Sequence, residues 1–264
     1  MKQDIIFFLR KLHLLPLVEV FRSLIIFIQS YPKIRAFSKV NPGLILPPWG
    51  ISYDAYAGLD PYLYLNLGKF HANKICKYIN KFQKNKKLLI CDWGCGPMRV
   101  LRHMPAFLSS HHAFLGLDYN NKTIAWAKAS FPKMNFMLNN LHPPLPLKDQ
   151  SIDVLYSISV FTHLSEDLFR AYVEDIHRSL KKGGILIVTL HGDRNTKVLL
   201  KSELNHYKKG QFVTRDRVKE GKRIFASYHP KKFVLDAFKD FDLLAHDTKT
   251  DRIEFQQDWW VFRK

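Results

Sequence analysis

The stretch Leu88-Leu89-Ile90-Cys91-Asp92-Trp93-Gly94-Cys95-Gly96-Pro97-Met98-Arg99-Val100-Leu101-Arg102 decides the fold. Its apolar opening, closed by Asp92, has the composition of a strand buried on both faces of a parallel sheet. Gly94 and Gly96 supply a turn free to take positive φ and to bring backbone close to a ligand. Val100, Leu101 and Met104 then repeat at helical spacing, which predicts a helix whose first N–H groups face the turn. A strand, a glycine turn and a helix start together form a binding turn for a nucleotide-like molecule.

A second apolar strand, Phe114-Leu115-Gly116-Leu117-Asp118, also ends in an acid, at about the ~20-residue distance where a carboxylate reaches ribose hydroxyls. Together the two motifs resemble the class I S-adenosylmethionine-dependent methyltransferases. Asp92-Trp93-Gly94-Cys95-Gly96 is similar to their first motif, and Gly116-Leu117-Asp118 with Tyr119 to the acidic second motif. The sequence departs from the pattern at Met98, where a third glycine is common. The block from Asp153 to Gly184 continues the likeness, with Ile152-Asp153 on a fourth strand, Phe161-Thr162-His163-Leu164 after it, and Leu180-Lys181-Lys182-Gly183-Gly184 before a fifth strand.

The resemblance covers residues 88–190 and implies an α/β fold, a doubly wound Rossmann-like sheet, mostly parallel, with an antiparallel edge hairpin near Leu243 and Trp259. It implies S-adenosyl-L-methionine as cofactor, bound by Asp92, Gly94, Cys95, Gly96, Asp118, Tyr119, Asn140, Leu141, Ser157 and Ser159. Asn139-Asn140 stand where the family places an acid or amide that reads the adenine amino group. The implied reaction is methyl transfer to an oxygen or nitrogen of a small-molecule or saccharide-type acceptor. A hydroxyl or amine nucleophile that starts protonated needs a base. His163, just past the fourth strand, is the first candidate, and His191, at the end of the fifth, is the second. Tyr228-His229 and Gln257-Asp258 are candidates for the acceptor wall.

Charge is distributed unevenly. Residues 88–190 hold 10 Lys/Arg against 8 Asp/Glu, residues 1–87 hold 14 against 4, and residues 191–264 hold 17 against 11. The positive field therefore belongs to the parts that frame an acceptor, and suits an anionic acceptor or a membrane surface as well as a lysine-rich solvated exterior. A nucleic-acid-directed enzyme and a silent methyltransferase-fold scaffold are the alternative functions. No RNA-binding signature, zinc finger or heptad supports the former. A nicotinamide oxidoreductase is disfavoured by Met98-Arg99 in place of a further glycine. Three cysteines (Cys76, Cys91, Cys95) suit a reducing, cytoplasmic setting, and a zinc site on Cys91 and Cys95 lacks a second ligand pair. The Leu46-Pro47-Pro48 stretch and Gly68 are similar to a bacterial methyltransferase subgroup, which implies a bacterial protein.

Residues 1–45 are expected to form an apolar, basic helical extension to a domain spanning 46–264, with an acceptor-side insertion at about 192–229. Residues 1–30 are apolar but broken by Arg10, Lys11, Glu19 and Arg22, so they do not span a bilayer. They are expected as a helix or helix pair broken at Pro16. The segment either packs on the domain, which is the expected outcome, or lies peripherally on the inner membrane face. Residues 31–62, rich in Pro and Gly, read as loop with lid-like aromatics Trp49, Tyr53, Tyr56 and Tyr62.

Overall fold

The computed structural model describes residues 14–84, 87–108, 111–215, 218–248 and 256–264. The apolar residues Ile5 to Leu9 and the cations Arg10 and Lys11 lie outside the described residues. Seven strands form one sheet: β1 (Leu89–Trp93), β2 (Ala113–Asp118), β3 (Asn135–Leu138), β4 (Ile152–Ser157), β5 (Leu180–Leu190), β8 (Asp242–Asp247) and β9 (Asp258–Arg263). Their order is β3-β2-β1-β4-β5-β9-β8. All neighbours from β3 to β5 run parallel, whereas β9 is antiparallel to both β5 and β8. The expected doubly wound sheet with its antiparallel edge hairpin is present. A separate ribbon pairs β6 (Val213–Arg215) with β7 (Ala226–Tyr228).

The sheet divides two cores by the period-2 alternation of strand side chains. Leu155, Leu186, Val188, Trp260 and Phe262 face one side, where α5 (Glu166–Ser179) and α7 (Lys231–Ala237) pack. Val154, Tyr156, Ile185, Ile187 and Trp259 face the other, under α3 (Pro61–Phe82) and α4 (Asn121–Ser130). Local chemistry sets where these helices start. Asp60 accepts from the Tyr62 and Leu63 N–H groups, Asn120 from Lys122 and Thr123, and Ser165 from Leu168. Glu166 and Asp167 open α5 and Arg178 closes it, as the helix dipole favours.

Three expectations change. The segment after the glycine turn is a short 3₁₀ helix, Leu101–Ala106, because Pro105 removes the N–H a longer helix would use. The Leu180–Gly184 turn is part of β5, with Leu180 paired to Ile152 and Gly183 N–H bonded to the Lys264 carbonyl at 2.8 Å. Residues 31–62 are mostly helical rather than loop. Helix α1 (Leu15–Val40) has Pro16 in its first turn, where proline is tolerated, and the part of the expected helix pair that precedes it lies outside the described residues. The helix continues through Pro32, which sits on the exposed side where water can satisfy the carbonyl it leaves. Helix α2 (Trp49–Tyr56) follows. A further helix, α6 (Lys201–Lys208), lies between β5 and the ribbon.

Candidate active site

The chain leaves β1 toward β2 and returns to β4 on β1's other side. The carboxyl ends of β1 and β4 therefore flank a topological switch point, the usual crevice for ligands in such sheets. The glycine turn is stapled there. The N–H groups of Gly94 and Cys95 both donate to the Leu117 carbonyl, at 2.8 and 2.9 Å, and that of Gly96 donates to Asp118 Oδ2 at 3.0 Å. The other oxygen of Asp118 accepts from Asn120 N–H at 2.8 Å. The N–H groups expected to lie free at a helix start are thus spent on fixing the turn against β2. Gly94 is required twice over, by a φ of +78° and because a Cβ would stand 2.2 Å from Val160 Cγ2. Met98 takes φ +62°, the conformation a third glycine would supply, with its side chain buried in the core below.

A continuous cleft runs across this turn. On one side it is walled by Asp118, Tyr119, Asn139, Asn140 and Leu141. On the other it is walled by Asp92, Cys95, Arg99 and Gln257, with Gly94, Gly96, Ser159, His163 and Arg223 common to both. Of the residues expected to bind cofactor, all but Ser157 line the cleft. Ser157 is 1% exposed, with its Oγ buried at the end of β4, and the next residues, Ile158 and Ser159, reach the cleft in its place. Sequence reasoning missed Asp54 and Ala55 of α2, Arg223 and Gly221 of the late loop, and Tyr172 of α5.

Burial shapes the electrostatics. Asp92 is pushed up to about 8 by burial, opposed by the Tyr156 hydroxyl that donates to it at 2.9 Å. Asp118 is pushed up to about 6 by burial, opposed by its two backbone donors. His163 is held below the ordinary histidine value by burial, with the Phe225 carbonyl pulling the other way. Its Nδ1 lies 2.7 Å from that carbonyl, which can only accept, so Nδ1 carries the proton and the neutral ring keeps a lone pair on Nε2. His191 is pushed down to about 4 by burial. Its Nδ1 donates to the Ser227 carbonyl, and its Nε2 accepts from Gln257 Nε2 at 3.3 Å. Gln257 Oε1 in turn accepts from Ser159 Oγ at 2.9 Å, so His191 stands one residue behind the cleft wall.

A roof covers the cleft. Glu19 of α1 pairs with Arg223 and accepts from the Tyr53 hydroxyl at 2.8 Å. Lys222 lies 3.4 Å from Asp54, and the Tyr119 hydroxyl donates to the Gly221 carbonyl at 3.1 Å. Three segments distant in sequence therefore meet over one crevice.

The fit of a nucleoside-bearing cofactor can be tested on one atom. Asn139 Oδ1 is buried in the cleft wall with no donor, and an exocyclic adenine amine is the kind of group that satisfies it. Residues 91–188 match the methyltransferase domain family. A probable S-adenosylmethionine-dependent methyltransferase of Mycolicibacterium smegmatis is 35% identical over 75 residues, a match spanning 28% of this chain and 28% of that relative. An S-adenosylmethionine-dependent methyltransferase of Methanosarcina mazei superposes with a TM-score of 0.54 at 18% identity, over 71% of this chain and 96% of its own. The magnesium protoporphyrin IX methyltransferase of Synechocystis, solved with bound S-adenosylmethionine, gives 0.54 at 14% identity, over 82% and 91%. At such identities the two structural likenesses speak for the fold. The sequence match over 91–188 is to a methyltransferase domain, and the structures that share the fold are S-adenosylmethionine-dependent methyltransferases.

Proposed function

We propose that the protein transfers the methyl group of S-adenosylmethionine to an oxygen or nitrogen of a small-molecule or saccharide-type acceptor. The observation that carries this reading is the single cleft that joins Asp118 and Asn139, across Gly94 and Gly96, to the neutral ring of His163. Asp118 is the acceptor for ribose hydroxyls, with Asn139, Asn140 and Leu141 beside the adenine and Tyr119 against the ribose. Asp92, Gly94, Cys95, Gly96 and Ser159 enclose the amino-acid end. Bound there, the cofactor supplies an electrophilic methyl group on a sulfonium. The protein's part is to position the nucleophile in line with it and to take the nucleophile's proton. His163 Nε2 has the free lone pair for that step. We assign His191 to orienting Gln257 and Ser159. Arg223 and Gln257 offer donors, and Ser159 Oγ an accepting oxygen, to a hydroxyl-rich acceptor, which supports placing the acceptor side at residues 192–229 and the end of the chain.

Calorimetry with S-adenosylhomocysteine tests the cofactor half. Binding in the micromolar range is expected for wild type. Asp118→Ala removes a charged acceptor, at about 1.5–3 kcal/mol per ribose hydrogen bond, and should bind at least about tenfold more weakly. Equal binding by the two proteins overturns the cofactor assignment. Labelled S-adenosylmethionine, incubated with extract fractionated into sugars and lipids, nucleic acids and proteins, tests the acceptor half. Label confined to nucleic acid or protein refutes the acceptor class, and tight binding without any label identifies a silent scaffold.

A further inference from the structure

Helix α1 carries apolar residues on two opposite sides and, among the described residues, is covered on one of them only. Leu15 and Phe37 are buried against the domain, Phe37 lies edge-on to Tyr62 at 4.8 Å, and Phe27 packs 5.0 Å from Trp49. On the opposite side Leu14, Leu17, Phe21, Leu24, Ile28 and Tyr31 recur at three- and four-residue spacing, and every one is exposed. Leu17 keeps 60% of its surface, Phe21 69% and Ile28 63%, with Val18, Val20 and Ile25 exposed beside them. At 1.5 Å per residue the stripe is about 25 Å long. An apolar helix stripe is normally buried, and a bare one of this length marks a docking face.

Charge selects the occupant. The one acid of α1, Glu19, is turned inward onto Arg223. Arg35 and Lys39 follow Ile28 at seven and eleven residues, so they extend the same stripe as exposed cations, and exposed Arg22 borders it. From Val20 a groove leads past Trp49, Lys122 and Lys219 to Tyr119 at the cofactor cleft. The groove's carboxylates, Glu19 and Asp54, are taken up by Arg223 and Lys222. Arg22 is answered within α1 by Glu19 at 3.2 Å, and among the described residues a second copy's α1 would bring no further acid to Arg35 and Lys39. An anionic bilayer offers hydrocarbon to the stripe and headgroup charge to its cationic frame.

We propose that the outer face of α1 docks the protein along the interface of an anionic bilayer, with the groove to the cleft facing the headgroups. Among the described residues no helix is long and apolar enough to cross a membrane, in keeping with a helix that lies on one. Docking requires nothing of the catalytic reading, and its test reads vesicle binding alone. The full chain should sediment with phosphatidylglycerol–phosphatidylcholine vesicles, bind pure phosphatidylcholine vesicles more weakly, and lose affinity as salt is raised. The triple variant Phe21→Asp, Leu24→Asp, Ile28→Asp should lose at least about tenfold in partitioning with an unchanged melting curve. Should that variant fail to fold, Arg35→Glu with Lys39→Glu should still remove the preference for anionic vesicles. Wild type that stays in the supernatant, or variants that sediment as well as wild type, overturn the proposal. So does a dimer in sedimentation velocity that the triple variant dissolves, which would assign the stripe to a second copy.

Discussion

At Met98 two opposing terms meet in one residue. Its left-handed backbone costs about 1–2 kcal/mol in an L-residue with a Cβ. Its side chain, with 0% exposure, is packed in the core under α3, where truncating a methionine costs about 2–5 kcal/mol. Packing wins, and that is how a methionine serves where the family commonly has glycine. Met98→Gly should therefore destabilise the protein by about 1–3 kcal/mol, read as a melting temperature lower by several degrees, although it relieves the backbone. A melting temperature at or above wild type would show that strain, and not packing, dominates. His163 is the residue where chemistry can be separated from bracing. His163→Ala should lower turnover by about 10²–10⁴ with cofactor affinity nearly unchanged. Because burial lowers its pKa, the acid limb of the rate should lie below the unperturbed ~6.5 of histidine, with activity falling as pH drops through it. A variant with normal turnover and the same limb would move the base to another group.

Among the elements, β1, β2, β4 and β5 were legible because strands buried on both faces must be continuous apolar runs, and theirs stop at Asp92, Asp118, Ser157 and His191. Gly94, Gly96 and Asp118 were legible too, since the turn and its staple demand those residue types. The part of α1 beyond residue 30 and all of α2 were not, because Pro32, Pro42 and Gly43 imitate a loop. Arg223 and Asp54 escaped because nothing local marks a residue that reaches the cleft from 128 or 40 positions away from Cys95 and Gly94 along the chain. Their union in the roof makes a prediction at this scale. Burial raises the Glu19 carboxyl, but its bonds to Arg223 and Tyr53 outweigh that and leave it below its usual value. Glu19→Gln keeps the shape and removes the charge that clamps α1 to the late loop. S-adenosylhomocysteine should then bind about two- to fivefold more weakly by calorimetry, the effect of one partly exposed ion pair. Unchanged affinity would mean that the roof closes without the clamp.

For the molecule as a whole, histidines held below their ordinary value outnumber carboxyls raised above theirs in setting the response to pH. His71 is pushed down to about 2 and His103 and His191 to about 4, each by burial first, and His163 and His229 are lowered as well. A histidine whose folded pKa lies below its unfolded ~6.5 contributes stability that is present above 6.5 and lost as pH falls. Asp92 and Asp118, raised to about 8 and about 6, act in the opposite sense, favouring the fold below the ordinary carboxylate range and losing that contribution as pH rises. Below 6.5 the histidines prevail, so denaturant midpoints should rise steadily from pH 5 to 6.5, which a chemical denaturation series would measure. A midpoint falling over that interval would show the two aspartates in control. The Glu19–Arg223 clamp bears on a different matter, the order in which the molecule is made. Its partners stand 204 residues apart, so α1 leaves the ribosome long before the loop that clamps it has been translated. Until then α1 can rest only on partners made soon after it, such as Trp49 and Tyr62. Fragments that stop short of Arg223 should therefore hold α1 less firmly, which limited proteolysis would read as faster cutting within it, and the roof over the cleft cannot close before Arg223 has been made.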